Sequence, residues 1–447
     1  MRTGTTARSI AVTGAALLAL SACGGGDSGG DTADGGNGGG GGGGEKQVNV
    51  YGTDGNMGNA LGEDFEEEGA LAGMKGTAPL TELSGDFMDR LEGVYPGLQD
   101  YNYAGETYDA IILSALAAQA AGTNDANVFK AYVNGITFGG ETCEDFAACK
   151  EILDGGGNPD YDGVSGPLSF TDAGEPAQAS FGLLQFGEDN TLDEDATEFV
   201  IAGDEANAAT DEGPAPAPAG TTGDPLIIGT LLPETGNLAF LGPPEIAGAR
   251  LAVEDINAAG GVLGQPVQLI ERDSGDPTTD IATQSVDQLL QAGANVIVGA
   301  AASGVSLTVI DAITGAGVMQ ISPANTSDQF TTYDDNGLYF RTAPPDTLQA
   351  RALADMISAD GNSTVGIMAL NDPYGTGLAE NTVNNLMSAG LSEDAIVSLT
   401  YDPQAANFDS EVQRMVEFNP DAIVVIGFEE SSRIIQTLNQ NGIGPQR

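Results

Sequence analysis

The side chains that could do chemistry are few and of one kind. The 447-residue chain carries 65 Asp and Glu against 14 Lys and Arg, and it has no His and no Trp. Without imidazole there is no His-based triad, no ordinary zinc or haem ligand set and no proton shuttle tuned to neutral pH. A carboxylate dyad is the acid–base option left, and no pair stands out among so many acids. The spacing offers recognition chemistry instead. Ser303 follows the apolar run "NVIVGAAA", where a helix should begin, and a hydroxyl with backbone N–H groups at such a point suits an anion. Asp54 in "YGTDG" lies at a strand's C-terminal end, where ligands of open α/β sheets bind. Each has a plainer reading: Ser303 as a helix N-cap, Asp54 as a turn residue before glycine. Cys143 and Cys149 in "ETCEDFAACK" read as a local disulfide of an exported chain, with two free thiols as the alternative. Without His or further Cys they are a poor basis for a metal site.

Those residues need elements to hold them. From Pro225 onward, short apolar runs alternate with amphipathic stretches that close on glycine. "LIIGTLL" (226–232) reads as a buried strand and "PPEIAGARLAVEDINAAGG" (243–261) as a helix. "PVQLIERD", "ANVIVGAAA" and "VMQISPANT" read as further strands, separated by the helices "TTDIATQSVDQLLQAG" and "SLTVIDAITGAG". After "LYFRTAPP" the alternation resumes, with strands "TVGIMAL", "AIVSLTY" and "AIVVIG" between helices at 346–359, 377–389, 407–417 and 430–441. Continuous apolar strands flanked by amphipathic helices predict parallel sheets covered on both faces, in two runs joined near Arg341–Pro345. The N-terminal piece opens with the strand "QVNVYGTDG", holds the long helix "ETYDAIILSALAAQAAG" and later a hairpin-like stretch at 163–187. It has too few strands for a complete doubly wound sheet. Residues 206–224, "ANAATDEGPAPAPAGTTGD", lack apolar periodicity and read as a linker.

The first 44 residues read as processing and tethering segments. Arg2 and Arg8 flank the start of a short apolar run, Ile10 to Leu20, which suits a secretory signal and is too short to span a bilayer. It ends in Leu20-Ser21-Ala22-Cys23, which resembles the lipobox of bacterial lipoproteins. Cleavage of the signal peptide (1–23) there would leave a lipid-carrying Cys23 at the new N-terminus; a plain signal peptide is the alternative. The Gly-rich run 24–44 reads as a flexible tether. A net charge of −51 repels nucleic acid and anionic lipid heads, which leaves the membrane to be reached through the anchor alone. Only four Lys stand beside ten Arg, which points to a halophilic protein adapted to high salt, with an ordinary acidic exported protein as the alternative.

Several stretches carry a family resemblance. "LIIGTLLPETGNLAFLGPPEIAGARLAVEDINAAGGVLGQPVQLIERDSGDP" resembles the opening of the branched-chain amino-acid-binding (Leu/Ile/Val-binding) family, the type I solute-binding proteins of ABC importers. "VMQISPANTS" and "LNDPYGTGLAE" resemble its middle. "GMKGTAPL", "YDAIILSAL" and "DYDGVSGPLSFTDAGEPA" resemble its C-terminal portion, yet here that portion stands first. The resemblance implies an α/β, type I periplasmic-binding-protein fold in circularly permuted order. Two doubly wound parallel-sheet lobes would be joined by a three-segment hinge near 341–345, 74–79 and 179–187. Residues 45–205 would be the family's C-terminal portion, with 45–75 and 181–205 in lobe 2 and 76–180 in lobe 1. Residues 225–447 would be its N-terminal portion, with 225–342 in lobe 1 and 343–447 in lobe 2. "NQNGIGPQ" would then run on into "QVNVYGTDG", and the linker 206–224 would bridge the former ends. A tandem-gene remnant and an exchange of halves in a swapped dimer are the alternatives.

The resemblance also implies roles. Ser303, Ala324 and Thr326 would grip the carboxylate and part of the ammonium of a free amino acid. Asp54, where leucine-binding relatives carry Glu, would be the ammonium's counter-charge; it is a methylene shorter, so the ligand need not be a branched-chain amino acid. Tyr374 would close over the ligand, and Phe428 stands where the family has tyrosine. Tyr103, Leu241 and, by adjacency, Phe240 would line the side-chain pocket. The function implied is a lipid-anchored monomer on the outer face of the cell membrane, with no cofactor and no metal. It would capture a small amino acid or related carboxylate by hinge closure and deliver it to the permease and ATPase subunits of an ABC importer. A ligand-sensing subunit for a signalling partner and a non-functional remnant are the alternatives; an enzyme is not expected.

Overall fold

The computed structural model describes residues 47–445. The signal segment 1–23 with Cys23, and the tether 24–44, lie outside the described residues. In chain order the strands are β1 (Asn49–Gly52), β2 (Lys75–Pro79), β3 (Glu141–Cys143), β4 (Pro159–Tyr161), β5 (Gln178–Gln185), β6 (Glu198–Gly203) and β7 (Ile227–Leu232). They continue with β8 (Gln268–Asp273), β9 (Val296–Gly299), β10 (Met319–Ser322), β11 (Tyr339–Arg341), β12 (Val365–Leu370), β13 (Ile396–Tyr401) and β14 (Ala422–Ile426).

Two sheets organise the fold. One is wholly parallel, in the order β11-β10-β9-β7-β8. Its inner strands β9 and β10, "VIVG" and "MQIS", bury every residue, as strands covered by helices on both faces must. The other has seven strands in the order β13-β12-β14-β1-β2-β5-β6. It is parallel from β13 to β2, and β5 and β6 add an antiparallel extension. Within the stretch 163–187 the chain turns back on itself in isolated antiparallel bridges, Gly163 with Gly166 and Phe170 with Pro176. Its end becomes β5, which lies between β2 and β6, and β6, "EFVIAG", is a largely exposed edge strand whose weak apolar pattern hides it in the sequence. β3 and β4 make a separate small pair, and Cys143 at its edge is joined to Cys149 in a disulfide.

The two halves of the chain interleave. β1 lies between β14 and β2, parallel to both, with Asn49 opposite Ala422 and Tyr51 opposite Val424. Tyr51 donates its hydroxyl to Asp360 at 2.7 Å, which ties the same strand to the helix Asp346–Ala359. The helix Ala104–Ala121 has no solvent-facing polar side and is buried along nearly its whole length, Glu106 and Asp109 included, so it must be covered all round. It packs on the helix Gly242–Ala258, and Gly248 permits the close approach: a Cβ there would sit 2.2 Å from the Ala104 carbonyl oxygen. Residues 206–224 form no strand or α-helix; they run over the five-stranded half, with Ala209 donating to the Phe170 carbonyl and Ala217 to the Ala120 carbonyl, each at 2.7 Å. The chain passes between the sheets after Pro79, before Gln178, between Gly203 and Ile227, and after Arg341. Among the described residues no helix is long and apolar enough to cross a membrane.

Candidate ligand-binding site

The loops that leave β1, β7, β9, β10, β12 and β14 all start from C-terminal ends of parallel strands, and they meet between the two sheets. From the seven-stranded side, β1 delivers Asp54, β12 leads to the helix Pro373–Ser388 with Tyr374, and β14 leads to Phe428. From the five-stranded side, β9 is followed by Ser303, the first residue of the helix Ser303–Gly315, β10 by Ala324 and Thr326, and β7 by Leu241. Tyr103 immediately precedes the helix Ala104–Ala121. These eight residues, with Gly55, Leu238, Ala301 and Ala302, line one cavity of about 20 Å³, the size a single water needs. Phe240 is not part of that lining; it faces the neighbouring cavity together with Phe428.

Asp54 is the electrostatic centre. It is buried, and its carboxylate accepts hydrogen bonds from the hydroxyls of Tyr103 and Tyr374 and from Gln349 Nε2, each at 2.8 Å. Burial pushes its pKa up, and the three donors oppose that rise. Tyr103 belongs to the five-stranded half, so its bond to Asp54 spans the cleft. It holds φ at 60°, a left-handed conformation that costs a bulky residue about 1–2 kcal/mol, and in return its hydroxyl reaches the acid. The Tyr374 hydroxyl also lies 2.6 Å from Thr53 Oγ1, and its ring stacks on Phe428 at 5.5 Å with planes 8° apart. Gly55 leaves room for that stack, since a Cβ there would meet Phe428 Cδ1 at 2.8 Å.

The opposite wall is a polar loop held from behind. The helix Ser303–Gly315 starts with no side-chain cap, so its first amides, beside the Ser303 hydroxyl, have no side-chain acceptor and could meet an anion. Ser303 Oγ accepts from the Ser327 amide at 3.3 Å, and the Ala324 amide donates to Ser322 Oγ at 3.2 Å. The Thr326 carbonyl accepts from the Asp346 amide at 2.7 Å. Behind this loop lies the buried Arg341. Its guanidinium donates to the carbonyls of Asn325 (3.1 Å) and Ser327 (2.8 Å), to Thr331 Oγ1 (3.0 Å) and to the carboxylate of Glu175 (3.0 Å from Nε). A buried carboxylate and an uncapped helix end, set across an apolar wall, can hold a zwitterion.

Sequence reasoning does not reach Gln349, Arg341 or Glu175. Gln349 carries no mark beyond its place on a helix. Arg341 ends the apolar strand "YFR", and in a chain so poor in bases such an arginine needs a buried acid; nothing local says that the acid is Glu175.

Among known proteins, the family described as periplasmic binding protein matches residues 225–447. The chain is 27% identical over 212 residues to Leu/Ile/Val-binding protein homolog 3 of Brucella melitensis, covering 47% of this chain and 56% of that one. It is 27% identical over 223 residues to a Pseudomonas aeruginosa protein named amino acid binding protein, covering 49% and 58%. Among solved structures, the branched-chain amino acid transporter substrate binding protein LivJ of Streptococcus pneumoniae, in complex with isoleucine, is 27% identical. The TM-score is 0.42, over 49% of this chain and 62% of that one. The chain spans a little over half the length of the curated relatives it matches.

Proposed function

Because residues 225–447 belong to the periplasmic binding protein family, we propose that the chain is an extracytoplasmic solute receptor for a small amino acid or related carboxylate. The observation that carries this reading is the division of chemistry across the cleft. Asp54 stands on one side, and the helix end at Ser303 with the loop of Ala324 and Thr326 stands on the other. A ligand ammonium would take over the place of a tyrosine hydroxyl on Asp54, with true charge pairing in exchange for a neutral donor. A carboxylate would sit against Ser303 and Thr326. Tyr374, Phe428, Tyr103 and Leu241 would enclose the aliphatic part. Since the closed cavity holds about 20 Å³, the solute enters only if the sheets part about the segments that join them and close again.

Delivery of the solute to the permease of an ABC importer is the natural use of such a cycle, with export by the 1–23 signal and a lipid on Cys23 keeping the receptor at the membrane. The order of the two blocks is read as a circular permutation. What supports it is the place of β1: β14, the helix Ser431–Gln440 and β1 make a strand–helix–strand unit whose parts come from opposite blocks. The charge of −51 fits work in high salt.

A thermal-shift screen in high salt, across amino acids, amides, urea and aromatic acids, tests the reading. At least one amino acid or carboxylate should raise the melting temperature; a folded protein that responds to none refutes it. Asp54→Ala should abolish binding of zwitterions and spare plain carboxylates, whereas equal loss of both would make Asp54 structural.

A further inference from the structure

One loop of the five-stranded half reaches across the cleft and grips the turn that carries Asp54. Residues 95–103 join the helix Gly85–Val94 to the helix Ala104–Ala121, and both helices pack on the helix Gly242–Ala258. The turn 53–58 and the short helix Asn59–Glu63 follow β1 and belong to the seven-stranded half. Tyr103 meets Asp54 there, and the buried Asn102 donates its Nδ2 to the Met57 carbonyl at 3.3 Å. Asp100 completes the grip. Its carboxylate accepts from the Asn59 backbone amide, 3.1 Å from Oδ2, and from Asn59 Nδ2, 2.8 Å from Oδ1. Asn59 is itself fixed to its own half, because its Oδ1 accepts from the Leu192 amide at 2.8 Å. It therefore spends its acceptor on one half and its donors on the other. Gly58 leaves room for the approach. A Cβ there would meet the Phe240 ring, also of the five-stranded half, at 3.0 Å and come within 3.5 Å of Asp100 Oδ2. Burial pushes the pKa of Asp100 up, the two Asn59 donors oppose the rise, and Glu63 adds to it. The carboxylate thus gives up water when the halves close and regains it when they part, which keeps the grip reversible.

We propose that Asp100 and Asn59 are positioning residues that clasp the cleft shut. The carboxylate of one half, seated on the Asn59 donors of the other, fixes the turn bearing Asp54 against the loop bearing Tyr103. Neither residue lines the inner cavity, and their bonds run from protein to protein, so they favour closure whatever solute fills the site. A bound solute leaves only through the open form. Its residence lengthens by the factor by which the clasp lowers the open population. This role rests on the solute-receptor reading above, whereas closure itself can be measured without a solute.

Ala301 lines the inner cavity and is 3% exposed, so the thiol of an Ala301→Cys variant reports opening. Iodoacetamide labelling of the full chain, read by mass spectrometry at that position, should be slow in this parent protein. Adding Asp100→Ala should speed it about tenfold. Asp100→Asn keeps an acceptor for Asn59 and should stay within about threefold of the parent rate. Hydrogen exchange in β9 and β12, fully buried strands of the two sheets, should not change, because release of the cleft is not unfolding. Four results each overturn the proposal and leave the receptor reading untouched: a parent thiol that reacts as fast as a free one, no acceleration by Asp100→Ala, equal rates for Asp100→Ala and Asp100→Asn, or exchange in β9 and β12 that rises with labelling. Labelling as expected, with no solute that shifts the melting temperature, overturns the receptor reading and leaves the clasp standing.

Discussion

Replacing Glu175 by Ala would leave the Arg341 guanidinium charged and unpaired in the interior. The two side chains are 1% and 8% exposed, so water cannot make good the loss. Arg341 would keep the carbonyls of Asn325 and Ser327 and the Thr331 hydroxyl, all neutral acceptors. Removing one partner of a buried pair costs about 3–5 kcal/mol, and the three remaining acceptors pull the expectation to about 3 kcal/mol. An exposed pair would be worth about 0–1 kcal/mol, so the two cases are separable. Urea unfolding followed by circular dichroism reads the difference, with Glu175→Gln, which keeps an acceptor, falling between wild type and Glu175→Ala. Salt screens buried pairs little, so the deficit should persist at molar salt. Solute affinity should fall as well, because Arg341 holds the backbone on both sides of Thr326; each 1.4 kcal/mol of lost loop order is about tenfold. A deficit below about 1 kcal/mol, or one that disappears in molar salt, would show that the pair is solvated and the reasoning wrong.

Burial pushes Glu106 up to about 8 from an ordinary 4.5, with the buried Glu245 also pushed well above its usual range. The folded state then holds this proton more tightly than the unfolded chain, so the stability it contributes is whole below about pH 4.5 and is lost as pH rises through about 8. The loss is on the order of 5 kcal/mol. Glu106→Gln should flatten the decline in melting temperature over that range, and an unchanged decline would remove Glu106 as its cause. Gly248→Ala puts a methyl 2.2 Å from the Ala104 carbonyl oxygen and should cost about 1–3 kcal/mol by forcing two helices apart, measured by thermal melting; no loss would mean that the pair has slack. Cleavage at a protease site placed within 214–219 should leave two fragments that co-elute in gel filtration, held by β1 and by the helix pair around Gly248; separation of the fragments would contradict the interleaved fold.

The parts of the site that could be read in advance are those that local chemistry marks. Glycine near the end of a buried strand announces a strand end, and strand ends of parallel sheets carry ligands, so Asp54 and Ser303 stand out from pattern alone, while Thr326 comes only with the family resemblance. Their meeting in a single cavity follows from two sheets facing each other by those ends. Gln349 and the Arg341–Glu175 pair were out of reach because tertiary packing alone chooses their partners. β6 escaped because an exposed edge strand has little reason to be apolar: four of its six residues, among them Phe199 and Ile201, are exposed. Phe240 was placed beside Leu241 by adjacency, and consecutive residues at a helix start point in different directions, so it lines the next cavity instead.

The position of β1 also sets an order of assembly. The five-stranded sheet is made from one stretch, β7 to β11, and can close as soon as that stretch exists. The seven-stranded sheet cannot, because Asn49 has to find Ala422. Until β14 has been made, β1 lacks one of the two strands that will flank it, and non-local pairing of this kind is slow and exposes strand edges to other chains. The run Glu66–Glu68, exposed in the segment between β1 and β2, places three like charges on the chain that follows the strand that waits longest. Such charges act as gatekeepers against aggregation, so part of this protein's acidity guards the nascent chain as well as the finished one.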